Sequence, residues 1–359
     1  MSAAAVIDAI EVDVREFPTP EPEADGTLSW SKTVAVAVTL CSGNSSGLGW
    51  TYSSPSAAVV IEQHLADVVH GRSAMDVAAS FEAMRRACRN IGTKGLVMQA
   101  ISAVDIAAWD LKARVLDVPL ADLFGRYRDE VPIYGSGGFT TLSDEQLAEQ
   151  VADWRRVGAT RMKIKIGESW GSCAERDLAR VRQLRGYAGD DVELMVDANG
   201  GYDLGQARRV GAQLDELGVT WFEEPVSSED VAGLGVLRDA LRCDVTAGEY
   251  ASDQADVAAL LPVVDCLQLD ATRCGGYTGW LAGAAQARAA RRDVSAHCAP
   301  ALHAPVAAAI PNLRHVEYFA DHVRLEPELV DGVPLVRDGA MVLDRSRPGH
   351  GLTLRPSGS

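Results

Sequence analysis

Along 7–17 (IDAIEVDVREF) and 31–40 (SKTVAVAVTL) apolar and polar residues alternate with period two, the pattern of antiparallel strands, and CSGNSSGLGW (41–50) reads as a Gly/Ser turn. Helical periodicity follows from Ser56 to His70, from Ala74 to Arg89 and from Gly95 to Leu116, and Pro119 and Gly125 punctuate its end. From VPIYGSGG (131–138) onward the pattern changes. Short apolar runs alternate with amphipathic helices: VPIYG, RMKIKIG, VELMVDAN, VTWFEEP, DVTAGE, CLQLDA, DVSAHC and LRHVEYF. Such alternation predicts parallel βαβ units, and eight strands is the number that closes a barrel. An open doubly wound sheet is the alternative, but no GxGxxG follows an early strand. Residues beyond about 322 no longer fit a βα unit. The expected organisation is an α+β domain over 1–128, a barrel over 129–322 and a segment, 323–359, that returns to the first domain.

Composition narrows the function without naming it. At 359 residues, 47% hydrophobic and 23% charged, the chain can bury a large core throughout. A formal net charge of −16 argues against a nucleic-acid partner, which needs a basic surface. The seven cysteines are scattered and never spaced as CxxC, which speaks for a reducing compartment and against a disulfide scaffold. The opening MSAAAVIDAIEVDVREF has no basic segment followed by an apolar one, and no apolar run approaches the roughly 20 residues of a membrane span. A cytoplasmic protein with no membrane partner is expected.

The candidate chemistry sits at strand ends. Asp197, Glu223 and Glu249 close successive strands at equal intervals of 26 residues. One acid at such a position is ordinarily the N-cap of the next helix. Three in register would converge at the mouth of a barrel, where they repel unless a cation joins them, and oxygen-only ligation favours Mg²⁺ over zinc. Alternation lets only one of Glu223 and Glu224 point inward; Glu223 keeps the interval, so Glu224 is expected behind it. Asn199, two residues past Asp197, should face the metal or the substrate. Lys163 and Lys165 share one face of their strand and would project into the same mouth, where the metal and the acids pull the basicity of Lys165 in opposite directions. Asp270 ends the sixth strand and His297 the seventh, a pairing in which a carboxylate fixes an imidazole tautomer. Glu317 ends the eighth. The other six histidines read as core or surface residues. No GxSxG occurs, and alternation turns Cys298 away from His297, so a serine or cysteine nucleophile is not indicated.

Taken together these residues resemble the enolase superfamily, specifically its mandelate racemase subgroup. The stretch AISAVDIAAWDLKARVLDVPLADLFG (100–125) is similar to the family's junction between capping domain and barrel, and KIK, VDANGGY, WFEEP, AGE, the Asp270–His297 pair and Glu317 are similar to its site. The strand-six end LQLDATRCGG lacks the lysine of the muconate-lactonising and epimerase branches. The resemblance implies a fold of the α/β class, a modified TIM (β/α)7β-type barrel with an α+β capping domain. It also implies a common first step: Mg²⁺ on Asp197, Glu223 and Glu249 binds a substrate carboxylate, Lys163 and Glu317 assist at its two oxygens, and Lys165 and His297 are the bases that handle the α-proton of an enediolate reaction.

Dehydration of an aldonate or aldarate to a 2-keto-3-deoxy acid is the expected outcome. A racemase or epimerase and a cycloisomerase of an anhydro sugar acid would use the same residues. A catalytically silent sugar-acid-binding relative, or a zinc hydrolase on the same barrel, is the reading from another class. Every expected ligand and base being present argues against the first, and a single strand-end histidine against the second. A small-molecule carboxylate is the expected partner, and the resemblance further implies a homo-oligomer, dimer or octamer. In the capping domain, 17–30 and 41–54 are similar to the family's mobile cover loops, with Asn44, Trp50 and Tyr52 as candidates for substrate contact. GSGGF (135–139), short of bulk, would leave room for a long substrate.

Overall fold

Three long antiparallel strands begin the computed structural model, which describes residues 5–356: β1 (Ala9–Ala24), β2 (Ser29–Ser42) and β3 (Ser45–Tyr52), in the order β1-β2-β3. The sheet is covered by α1 (Ser56–Val60), a π-turn (Ile61–Leu65), α2 (Ala66–Val69), α3 (Val77–Ala87) and α4 (Leu96–Val115), with the short α5 (Leu120–Leu123) after it. The turn of the Gly/Ser stretch is confined to Gly43 and Asn44 and the rest is strand, and packing explains why. A Cβ on Gly47 would lie 2.2 Å from the Leu111 nitrogen and one on Gly49 2.3 Å from the Ala103 carbonyl, so alternate glycines on one face let α4 lie directly on β3. Gly49→Ala is accordingly expected to destabilise the protein by about 1–3 kcal/mol through overpacking, read as a lower urea midpoint at unchanged slope.

Helix α4 is apolar on nearly every side because it is buried on two. Ile101, Val104 and Leu111 join the capping core, and Ile106 and Ala113 join the barrel core. Asp105 on the same helix accepts from the Thr278 N–H (3.0 Å) and contacts its hydroxyl (2.6 Å), tying the two domains. Burial raises the Asp105 carboxyl to about 7. A folded-state value above the unfolded one means that the native state holds a proton the unfolded chain has lost. Stability from this group should therefore fall as pH rises from about 4 to about 7. Asp105→Asn, neutral throughout, should show a flatter stability profile over that window in parallel denaturant titrations.

Eight parallel strands form the barrel: β4 (Glu130–Gly137), β5 (Arg161–Lys165), β6 (Glu193–Asp197), β7 (Val219–Glu223), β8 (Asp244–Ala247), β9 (Cys266–Leu269), β10 (Asp293–Ala296) and β11 (Leu313–Phe319), closed by β11 pairing with β4. Between and after them run α6 (Asp144–Arg156), α7 (Ala174–Ala188), α8 (Leu204–Glu216), α9 (Val231–Ala240), α10 (Gln254–Leu260), α11 (Gly276–Ala289), α12 (Pro300–Ala307) and α13 (Ala320–Leu329). Inside, Tyr134, Met195, Trp221 and Cys266 make a buried cluster. The Tyr134 hydroxyl accepts from Lys163 Nζ (3.2 Å) and Gln268 Nε2 (3.0 Å), where that cluster gives way to charge.

The tail divides its attachments rather than returning whole to the capping domain. After β12 (Val330–Asp331), the hairpin β13 (Leu335–Arg337) and β14 (Ala340–Val342) adds antiparallel to the start of β4. The tail meets the first domain both before the hairpin, where Glu326 accepts from the Tyr52 hydroxyl (3.5 Å), and beyond it. The Gly349 N–H donates to the Val118 carbonyl (2.9 Å), His350 Nε2 bonds the Leu48 carbonyl (2.8 Å), and β15 (Thr353–Leu354) pairs with β12. No helix among the described residues is long and apolar enough to cross a membrane.

Candidate active site

The strand ends at the C-terminal mouth of the barrel gather the acids. Asp197 and Glu223 face each other in register as the last residues of β6 and β7, and Glu249 follows β8 by two residues. One carboxylate oxygen from each lies within 4.8 Å of the others, and all three side chains are buried.

The two lysines are answered separately. Lys163 Nζ lies 2.7 and 2.8 Å from the two Glu223 oxygens and 2.8 Å from Glu317 Oε1, fully buried beneath the mouth. Lys165 Nζ donates to Asp197 Oδ2 and lines the cavity. Burial pushes the Lys165 ammonium down, as Lys163 does, but Asp197, Glu249 and Glu317 outweigh them and hold it above its ordinary range. Two like charges are tolerated side by side because each has its own acid.

Glu317 is an acceptor on both oxygens, from Ser136 Oγ (2.6 Å) and Lys163 at Oε1 and from the Cys298 N–H (2.8 Å) at Oε2. Burial alone would raise its carboxyl; Lys163, His297 and Lys165 outweigh burial and hold it well below the usual carboxylate range. Placed so, Lys163 and Glu317 hold each other under the floor.

His297 Nδ1 lies 2.9 Å from Asp270 Oδ2, while the Thr272 N–H holds the other Asp270 oxygen at 2.7 Å. That carboxylate fixes the imidazole with Nδ1–H inward and Nε2 toward the mouth, 3.3 Å from Glu249 Oε2. Arg273, one turn beyond Asp270, places Nη1 3.0 Å from Glu249 Oε1 and Nε 3.5 Å from Asp270 Oδ2. Its position three residues after a strand-end acid was the available sequence signal, and strand periodicity does not carry it.

Several expectations are corrected where regular strand geometry stops. Cys298 was expected to face away from His297, yet its Sγ lies 3.3 Å from His297 Nε2. Strand β10 ends at Ala296, and Cys298 and Ala299 take left-handed φ of 51° and 39°, so alternation no longer applies. Burial and then Glu317 push the Cys298 thiol well up, which keeps it an unreactive thiol. Glu224 (φ 36°) and Asn199 (φ 44°) likewise lie past their strands. The Asn199 N–H donates to Asp197 Oδ1 (2.9 Å), and its own Oδ1 is buried without a partner on the cavity wall. Glu224 is buried, and burial together with Glu249 raises its carboxyl well above the usual range.

The capping domain contributes different residues from those expected. Tyr52 lines the cavity, stacked on His322 at 3.7 Å. Asn44 is an exposed residue of the β2–β3 turn, and Trp50 is fully buried in the core against His350. Neither lines the cavity. The first cover loop shrinks to the turn between β1 and β2. The proline-rich end of β1 is strand whose register breaks between Pro18 and Glu23, because proline cannot donate to the ladder. From that turn and β2 come Asp25, Leu28, Trp30, Lys32 and Thr33. Sequence reasoning also missed His322, Asp321 and Tyr250. The GSGG glycines leave no substrate room: a Cβ at Gly135 would meet the Trp154 ring at 2.4 Å, and one at Gly138 the Ile164 side chain at 2.3 Å.

The resulting cavity is about 290 Å³, near the low end of the roughly 300–1,000 Å³ of small-molecule sites. Around its floor stand six carboxylates (Asp197, Glu223, Glu224, Glu249, Asp270, Glu317) against three permanent cations (Lys163, Lys165, Arg273). An all-oxygen donor set, this excess of negative charge and the buried Glu249 Oε2 without a hydrogen-bond partner fit a hard divalent cation.

Comparison with known proteins agrees with this geometry. Residues 146–358 match the enolase C-terminal domain-like family, and residues 7–125 match the mandelate racemase / muconate lactonizing enzyme N-terminal domain. The L-talarate/galactarate dehydratase of Salmonella typhimurium (strain LT2) is 32% identical over 314 residues, 86% of this chain and 77% of that protein. A mandelate racemase/muconate lactonizing enzyme-like protein from Rubrobacter xylanophilus superposes with a TM-score of 0.94 at 43% identity, covering 98% of this chain and 97% of that one. A racemase from Streptomyces coelicolor A3(2), solved with bound magnesium, superposes with a TM-score of 0.91 at 27% identity over 97% of both chains. With a capping domain, a closed barrel and both domain families in place, the chain belongs to the mandelate racemase/muconate lactonizing enzyme family of the enolase superfamily.

Proposed function

We propose that this enzyme removes the proton α to the carboxylate of a sugar acid with Mg²⁺ as cofactor, and that the overall reaction is dehydration to a 2-keto-3-deoxy acid. The observation that carries the reading is the meeting, in one cavity, of Lys165 and the Asp270–His297 pair with the three-acid cluster. Asp197, Glu223 and Glu249 would hold the ion, which supplies charge stabilisation to the carboxylate as the α-proton leaves. Lys165 and His297 come from the second and seventh barrel strands, so a proton can be taken by one group and delivered by another. In dehydration one of them takes the C2 proton, and His297, carrying a proton, gives it to the C3 hydroxyl so that water departs. Similarity to a dehydratase at 32% identity supports this outcome; the racemase similarity keeps stereochemical inversion as the second reading.

The test is a proton NMR screen in D₂O with Mg²⁺ and a panel of aldonates, aldarates, anhydro sugar acids and 2-hydroxy acids. Loss of the C2 proton with a growing 2-keto-3-deoxy product that carries solvent deuterium at C3 is the expected result. Deuterium at C2 of recovered, inverted substrate without product would make the enzyme a racemase or epimerase, and neither exchange nor product from any acid with metal-loaded protein would overturn the reading.

A further inference from the structure

The wall of the cavity built from the β1–β2 turn, β2 and the start of α13 carries side chains that the proton chemistry does not use. Three cations line the cavity, and each already faces a carboxylate. Lys32 Nζ lies 2.8 Å from both Glu16 oxygens, Lys165 is on Asp197, and Arg273 is on Glu249 and Asp270.

The same wall adds acids rather than bases. Asp25 Oδ1 accepts from the Thr27 and Leu28 N–H groups (2.6 and 2.7 Å), and Asp321 contacts Thr33 Oγ1 and pairs with Arg324. His322 stands beside Asp321. Its Nδ1 accepts from the Ala299 N–H (2.9 Å), which leaves the ring proton on Nε2, and Nε2 has no acceptor among the described residues. Burial lowers the His322 imidazole to about 4, so at neutral pH the ring is an uncharged donor. A second substrate carboxylate here would meet two carboxylates and a neutral ring, without a cation to spare. A hydroxyl would accept from His322 Nε2 and donate to Asp321.

We propose that this end of the cavity receives an uncharged, hydroxylated tail, and that the substrate is therefore a monocarboxylic acid of the aldonate class rather than a dicarboxylic aldarate. The inference rests on the proposed reaction at the acid cluster and adds the class of acid that enters it.

Matched pairs that differ only at C6, gluconate against glucarate and galactonate against galactarate, test it with the Mg²⁺-loaded enzyme. The readouts are formation of the 2-keto-3-deoxy product, kcat/KM and, for acids that do not turn over, competitive inhibition. The expected result is that the monoacid of the reacting pair exceeds its diacid by roughly 100-fold, the scale of placing like charges together. Asp321→Asn should narrow that ratio by admitting the diacid. His322→Phe should raise KM for the six-carbon monoacid more than for glycerate, which lacks the tail, and His322→Gln, which keeps a donor, should recover most of the difference. A diacid preferred over its partner, with Lys32→Ala abolishing that preference, would show that Lys32 leaves Glu16 for the second carboxylate; it would overturn this inference and leave the reaction class standing. Absence of both product and C2 exchange with every acid would overturn both.

Discussion

Stripping the protein of divalent metal is expected to abolish proton exchange at C2 and to lower the melting temperature in the same titration, both reversed by Mg²⁺. The two effects share a cause in the buried charge. Six carboxylates crowd one floor with three permanent cations between them, and Asp197, Glu223 and Glu249 have oxygens within 4.8 Å of one another. An ion that binds this arrangement only in the folded state stabilises it by about 2.7 kcal/mol at a hundredfold excess over its dissociation constant. Glu223→Gln should weaken the Mg²⁺-dependent rise in melting temperature and suppress exchange. A melting temperature indifferent to Mg²⁺ in the unaltered protein would refute the metal assignment without reference to any substrate.

Asp270→Asn is expected to lower kcat by about 10⁴-fold with little change in Mg²⁺ binding, the size of effect seen when the carboxylate of a Ser-His-Asp triad becomes an amide. The geometry says why so small a change should matter. The Thr272 N–H holds Asp270 Oδ1 at 2.7 Å, so an asparagine would keep its oxygen there and turn its NH₂ toward His297 Nδ1. The imidazole would then have to accept at Nδ1 and carry its proton on Nε2, the nitrogen that faces the mouth. Nitrogen-15 NMR of the ring would report the exchanged tautomer, and kinetics the loss. An active D270N enzyme with the original tautomer would remove His297 from the proton chemistry.

What was legible in the sequence follows from where a local pattern and the packing say the same thing. The eight barrel strands could be read because each is a short apolar run bounded by turns, and the three acids because a barrel repeats its strand ends at near-equal chain distance. The lysines, Asp270, His297 and Glu317 were legible for the same reason. Alternation failed one or two residues later. At Asn199, Glu224 and Cys298 the backbone turns left-handed to leave the barrel, and at Cys298 a strand rule extended past that point sends the side chain the wrong way. Glycine misled twice. In β3 and at Gly135–Gly138 its smallness is consumed by a neighbouring helix or side chain, which only the packed structure reveals. Tyr52, alone of the three capping candidates, reaches the cavity, because β3 ends at the site and its turn with β2 lies at the far end of the strand. Neither His322 nor Arg273 had a strand-periodic signal, since Arg273 follows its strand on irregular backbone and His322 stands in the first turn of α13.

The divided tail has a consequence for synthesis. Residues of the capping domain leave the ribosome before the barrel, yet the carbonyl of Leu48 and the buried carboxylate of Asp110 are engaged by His350, and the Arg15 guanidinium by the Arg355 carbonyl, 240 to 340 residues further on. A nascent chain must carry that unfinished sheet through the making of the whole barrel. Nascent chains stalled before residue 349 should therefore hold the capping domain in a protease-sensitive state that the last few residues lock.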